Sequence, residues 1–104
     1  MTASASGPVS GPVSIGEDDR LRLAPGVMLR RDRVRDHWQL LGPERVLILD
    51  EVALEVVRAT TDQPATVGAA IDALAAQFDA PRAEIAADVL EMLADMIAKG
   101  FLTR

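Results

Sequence analysis

A chain of 104 residues without cysteine has room for one modest core and excludes disulfides, thiolate metal sites and cysteine nucleophiles, leaving the redox compartment unread. The net charge of −5 is unevenly spread: residues 1–49 carry seven Arg against six acids, residues 50–104 four basic residues against ten acids. An acidic C-terminal half repels phosphate backbones and favours basic partners. No apolar run reaches the ~18–20 residues that span a bilayer, and the N-terminus lacks the basic and apolar regions of a signal peptide, so the cytoplasm is the expected location.

Residues 6–14 read SGPVSGPVS, a composition that buries too little to offset its ordering entropy. Residues 1–20 are therefore expected to be a flexible tail or linker, of which residues 1–16 are dispensable, and residues 21–104 the folded domain. Residues 20–25 read as an extended lead-in, with Pro25-Gly26 as a turn. Strands are expected at 27–31, 35–41 and 45–49, the last entered through the turn Gly42-Pro43-Glu44. Val46, Leu47, Ile48 and Leu49 are all apolar. Strand side chains alternate faces, so this strand is apolar on both sides. One face packs on the helices that follow, and the other needs a partner.

Asp50 is a good N-cap for a helix over 51–59, with Ala53, Val56 and Val57 at helical spacing. Residues 61–64 break it. Thr66 caps a second helix whose stripe is Val67, Ile71, Leu74 and Phe78. Pro81 suits the first turn of a third helix, and Gly100 its end, with Lys99 near the negative pole. Phe101 and Leu102 are expected to fold back onto the core. The fold class is α+β: a three-stranded antiparallel sheet followed by a three-helix bundle, resembling a winged helix.

The third helix carries Glu84, Asp88, Glu91 and Asp95 along one face. No His or Gly-rich loop accompanies them, so a solvated face is favoured over a cation site. Its apolar arc is wider than one-sided packing needs, with Ile85, Val89, Met92 and Met96 as one stripe and Leu90, Leu93 and Ile97 as another. The methionines favour the first stripe as a groove, since thioethers suit adaptable surfaces. His37 and Trp38, the single histidine and tryptophan, read as structural. Arg30, Arg31, Arg33 and Arg35 cluster at the first hairpin without the interleaved aromatics of a nucleic-acid surface. No nucleophile–base set, phosphate loop or paired-His motif is present, so an enzyme is the weak hypothesis.

Four segments together resemble the PqqD family of pyrroloquinoline quinone (PQQ) biosynthesis: Pro43-Glu44, VLILD at 46–50, Asp88-Val89-Leu90, and Gly100-Phe101-Leu102. The resemblance implies a winged-helix-like peptide chaperone that is not an enzyme and needs no cofactor or metal. Proteins similar to this one bind the precursor peptide PqqA and present it to the radical SAM enzyme PqqE. Related recognition domains in other peptide-modifying enzymes take the leader as an extra strand in the cleft between the third strand and the third helix, and the resemblance implies the same strand addition here. On that basis the expected peptide-binding residues are Arg45, Val46, Leu47, Ile48 and Leu49, with Arg82, Ile85, Asp88, Val89, Met92 and Met96. Arg45 and Arg82 are assigned to acidic residues of the peptide, Asp88 or Glu84 to basic ones. In some organisms the family is fused behind the PqqC oxidase, and the Ser/Gly/Pro tail suits such a junction. No nucleic acid or membrane is implied. The alternative is a structural or regulatory winged-helix subunit of a larger enzyme complex.

Overall fold

The computed structural model describes residues 14–61 and 65–104. In chain order these form β1 (Arg22–Leu23), β2 (Met28–Asp32), β3 (His37–Leu41), β4 (Val46–Leu49), α1 (Glu51–Thr61), α2 (Val67–Phe78), α3 (Arg82–Ala98) and β5 (Leu102–Thr103). The expected α+β arrangement is present: an antiparallel sheet ordered β2-β3-β4, then three helices. A second small sheet pairs β1 with β5, Leu23 opposite Leu102. Pairing with the C-terminus gives the lead-in its extended form.

Local chemistry sets the boundaries. Pro25 and Gly26 make a turn in which the Val27 N–H donates to the Ala24 carbonyl at 3.0 Å, and Gly26 adopts the positive φ of 82° that such a turn requires. The second strand begins at His37 rather than residue 35 because Asp32 organises residues 33–36 into a turn, its carboxylate accepting from the Val34 and Arg35 amides at 3.0 and 3.1 Å. Asp50 caps α1 through the Ala53 N–H at 2.8 Å, and Thr66 caps α2 through Ala69 at 3.2 Å. Helix α1 runs to Thr61, beyond the expected end at 59. The Thr60 and Thr61 hydroxyls donate back to the Val56 and Val57 carbonyls, which satisfies both hydroxyls inside the last turn of the helix. Residues 62–64 of the expected break, and the tail residues 1–13, lie outside the described residues.

Helix α3 ends as a Schellman motif. The Phe101 N–H donates to the Met96 carbonyl and the Gly100 N–H to that of Ile97, with Gly100 at φ 85°. This closure turns Phe101 and Leu102 into the core, where they join Leu40, Leu49, Val56, Val57, Ile71, Leu74 and Leu93. No helix among the described residues is long and apolar enough to cross a membrane.

Residues 14–20 differ from the expected tail. Ile15 packs on the core, and the Glu17 and Asp19 carbonyls accept from the Gly68 and Val67 amides at 2.8 Å each. These amides open α2, where donors lack an intrahelical partner. The Glu17 carboxylate pairs with Arg82, and Asp19 with Arg104. The segment is a strap across the ends of α2 and α3, and composition alone hides it because the donors to its backbone carbonyls and its ion-pair partners lie far along the chain.

Candidate functional site

Among the described residues nothing pairs with the outer side of β4, so the sheet has two open edges, β2 and β4. They are chemically unlike. Edge β2 carries Arg30 and Arg31, charges that discourage strand pairing, whereas β4 reads VLIL with none. The turn before β4 fixes its parity: the Gly42 N–H donates to the Arg45 carbonyl at 2.9 Å. Leu40 lies opposite Leu47 and Trp38 opposite Leu49. Because hydrogen-bonded and non-hydrogen-bonded pairs alternate, Leu47 and Leu49 bond to β3, while the N–H and C=O groups of Val46 and Ile48 face the open edge. Leu49 is buried and Leu47 packs against the core. Val46 and Ile48 are 57% and 62% exposed.

Strand β4 enters α1 through Asp50, and Val52 in the first turn of α1 is 49% exposed. It lines an apolar groove of about 210 Å³ between the three helices, with Val56, Leu74, Phe78, Ile85, Asp88, Val89 and Met92. Asp88 is the single charged residue in that lining. The groove lies between the helices and includes no residue of β4, Val52 following that strand by three positions; an uncharged strand edge and an apolar groove are each suited to an extended peptide.

Of the anticipated site residues, the structure brings together Ile85, Asp88, Val89 and Met92 in the groove and Val46–Leu49 on the edge strand. Met96 does not join them. It is buried in the core, so the apolar stripe of α3 divides along its length, its C-terminal end being closed over by the residues after Gly100. Neither arginine reaches the groove. Arg82 is held by Glu17, Asp72 and the Gly68 carbonyl, a cage that raises its pKa further and keeps the Glu17 carboxyl below its usual range, chiefly through the Arg82 hydrogen bond. Arg45 donates to the Lys99 carbonyl, a cation set at the negative end of α3. Each arginine is a lock between distant parts of the chain.

Four groove-lining residues, Val52, Val56, Leu74 and Phe78, are not among the anticipated site residues, and of these Val52 and Phe78 are well exposed. Val52 stands one turn before Val56, and extending that stripe backwards would have found it. Phe78, expected in the core, is 41% exposed. It occupies the last turn of α2, which Asp79 ends in the left-handed conformation, so no further turn covers it.

The remaining candidates are placed as follows. Glu84, Asp88, Glu91 and Asp95 are all exposed, Asp95 pairing with Lys99 at 2.9 Å. His37 Nε2 lies 3.1 Å from Gln39 Oε1 and 3.9 Å from Asp32. Trp38 packs against the core and carries the Arg58 guanidinium 4.6 Å above its ring. Among the described residues no three His, Asp or Glu side chains gather as a metal site would need.

A family model described as Coenzyme PQQ synthesis protein D (PqqD) matches residues 37–102, which span the sheet from β3, all three helices and the closing turn. A PqqA binding protein of Rhodopseudomonas palustris strain HaA2 is 45% identical over 91 residues, 88% of each chain. A PqqA binding protein of Xanthomonas oryzae pv. oryzae is 46% identical over 89 residues, 86% of this chain and 96% of the relative. Among solved structures, the solution NMR structure of the PqqD truncation of Methylobacterium extorquens PqqCD superposes with a TM-score of 0.71 at 38% identity, covering 88% of this chain and 96% of that one. That protein represents a functional, stand-alone recognition element for ribosomally synthesized and post-translationally modified peptides. With the fold, the open strand edge and the extent of these matches in agreement, the chain belongs to the PqqD family.

Proposed function

We propose that this protein is the peptide chaperone of PQQ biosynthesis, binding the precursor peptide PqqA on β4 and presenting it to the radical SAM enzyme PqqE in the cytoplasm. The observation that carries this reading is the uncharged β4 edge, whose Val46 and Ile48 backbone groups face outward with no strand paired to them among the described residues. A peptide strand satisfies those groups and its own at once, main-chain bonds giving affinity and alternate side chains giving selectivity. The relatives' description as PqqA binding proteins names the peptide.

The contact residues are Val46 and Ile48 on the edge and Val52, Phe78, Ile85 and Met92 in the groove, with Asp88 facing a basic residue of the peptide. Leu47, Leu49, Val89 and Met96 act from beneath, by holding strand and helix in place. Arg45 and Arg82 act on the fold and only indirectly on the peptide. The role is recognition without catalysis, and it needs no cofactor or metal. The neighbouring PqqCD fusion supports a junction role for the segment that precedes β1, next to PqqC.

Titration of the labelled protein with PqqA peptide, followed by amide NMR, tests the reading. Shifts are expected at Val46, Ile48, Val52 and along the groove-facing side of α3. Shifts limited to Glu84, Glu91 and Asp95, or no binding in metal-free buffer, would reject it.

A further inference from the structure

The tip of the β2–β3 hairpin takes no part in the edge or the groove, yet it is built to hold one shape. Asp32 fixes the Val34 and Arg35 amides, bonds that also keep its own carboxyl below the usual range, the Arg35 amide foremost. Asp36 adopts a left-handed φ of 55° and pairs with Arg31. Both acids of the tip are thereby engaged within it. Arg30, Arg33 and Arg35 are left exposed around the crest.

At that crest Val34 is 94% exposed. A β-branched apolar residue is an unusual choice there, since Gly, Asn, Asp and Ser supply what a turn needs. An apolar projection surrounded by arginines has the make-up of an interface anchor within a polar rim. Its position is also informative. Asp32 lies opposite His37, and Trp38 opposite Leu49, so the tip rises at the end of the sheet where β4 passes into α1. A peptide lying along β4 has one of its ends at the same end of the sheet as the tip, with β4 between them.

We propose that this tip docks the enzyme that acts on the bound peptide, Val34 entering an apolar notch on that enzyme and Arg33 and Arg35 meeting an acidic surface around it. The proposal rests on the peptide-presenting reading and adds to it the surface that reads the enzyme. Nucleic acid fits the tip less well, because the crest is apolar and no aromatic side chain lies within residues 33–36 to stack on bases. A second copy, offering the acidic face of α3, would form a head-to-tail contact rather than the commoner two-fold dimer.

The test uses the full chain as Val34→Ser and as Arg33→Glu with Arg35→Glu; these side chains are exposed, and circular dichroism checks the fold. Synthetic PqqA peptide is titrated by calorimetry, and PqqE by surface binding at two salt concentrations. Both variants are expected to hold the peptide within about twofold of the unmodified chain and to bind PqqE about tenfold more weakly, the charge reversal also abolishing the salt-dependent on-rate. Unchanged PqqE affinity in both variants overturns the proposal, and so does an unmodified chain that binds peptide but not PqqE. If the variants instead lose only binding to a DNA duplex, or only self-association in sedimentation, the tip has another occupant and the proposal is wrong. An unmodified chain that takes no peptide removes the parent reading and this proposal together.

Discussion

Gly42 and Arg45 face each other across the turn into β4, the Gly42 N–H donating to the Arg45 carbonyl at 2.9 Å, and the alternation counted from this pair decides which amides of β4 point away from the sheet. Proline removes an N–H, so its effect depends on where that N–H points. Val46→Pro and Ile48→Pro are expected to leave a folded protein by circular dichroism and to weaken PqqA binding by about 1 kcal/mol for the lost bond, more if a peptide carbonyl is left buried and unpaired. Leu47→Pro breaks the ladder to β3 and should unfold the sheet. Normal peptide affinity in both folded variants would remove strand addition at this edge.

In the groove, exposure separates recognition from stability. Leu74 and Phe78 line the same surface, but Leu74 is fully buried while Phe78 is not. Leu74→Ala is expected to cost about 2–5 kcal/mol of folding free energy by denaturant titration. Phe78→Ala should change stability little and weaken peptide binding by about 1–2 kcal/mol, as truncation of an interface anchor does. Equal losses in both measurements for Phe78→Ala would place that ring in the core.

Much of this was legible before any coordinates. Asp50, Thr66 and Gly100 announce helix ends because capping is local chemistry between a residue and its near neighbours. Four consecutive apolar residues announce a strand with two buried or bound faces, but they hide its parity, which depends on a backbone bond at the preceding turn. Nor does the sequence show the partners of Arg45 and Arg82. Their acceptors, the Lys99 carbonyl and the Glu17 carboxylate, lie 54 and 65 positions away, and such distant pairings leave no local pattern. Phe78 fits the helical stripe yet escapes burial, since periodicity specifies a face and not where the covering element stops.

The ion pairs of the strap give it a pH dependence whose sign is fixed. Glu17 and Asp19 are held below their ordinary values, Glu17 chiefly by the Arg82 hydrogen bond and Asp19 chiefly by the Gly16 amide, then Arg104. A lowered folded pKa means that the stabilisation is complete above the unfolded value and is lost as pH falls through the folded one. Thermal melts should therefore show Glu17→Gln less stable than the unmodified chain at neutral pH, with the difference shrinking on acidification below the carboxylate range. A difference that stays constant with pH would mean that the pair contributes through packing alone. Glu17 is exposed and Asp19 partly exposed to solvent, so the effect is expected to be small and salt-sensitive.

The strap also reverses the usual outcome of a glycine substitution. Gly68 lies in the first turn of α2, where alanine ordinarily stabilises a helix by up to about 1 kcal/mol. Here an added Cβ would stand 3.0 Å from Glu17 Oε1, 3.1 Å from its Cβ and 3.2 Å from its carbonyl oxygen. The side-chain end can swing away, but the Glu17 carbonyl is bonded to the Gly68 amide itself and cannot move without giving up that bond. Gly68→Ala should therefore lower the melting temperature of the full chain. In a chain shortened to residues 21–104 the obstacle is gone, and the same substitution should raise the melting temperature. Deleting residues 1–13 alone should leave the effect of Gly68→Ala as it is in the full chain. The four melts form a cycle whose coupling term isolates the strap–helix contact. If Gly68→Ala has the same sign with and without residues 14–20, the strap does not hold α2 in solution.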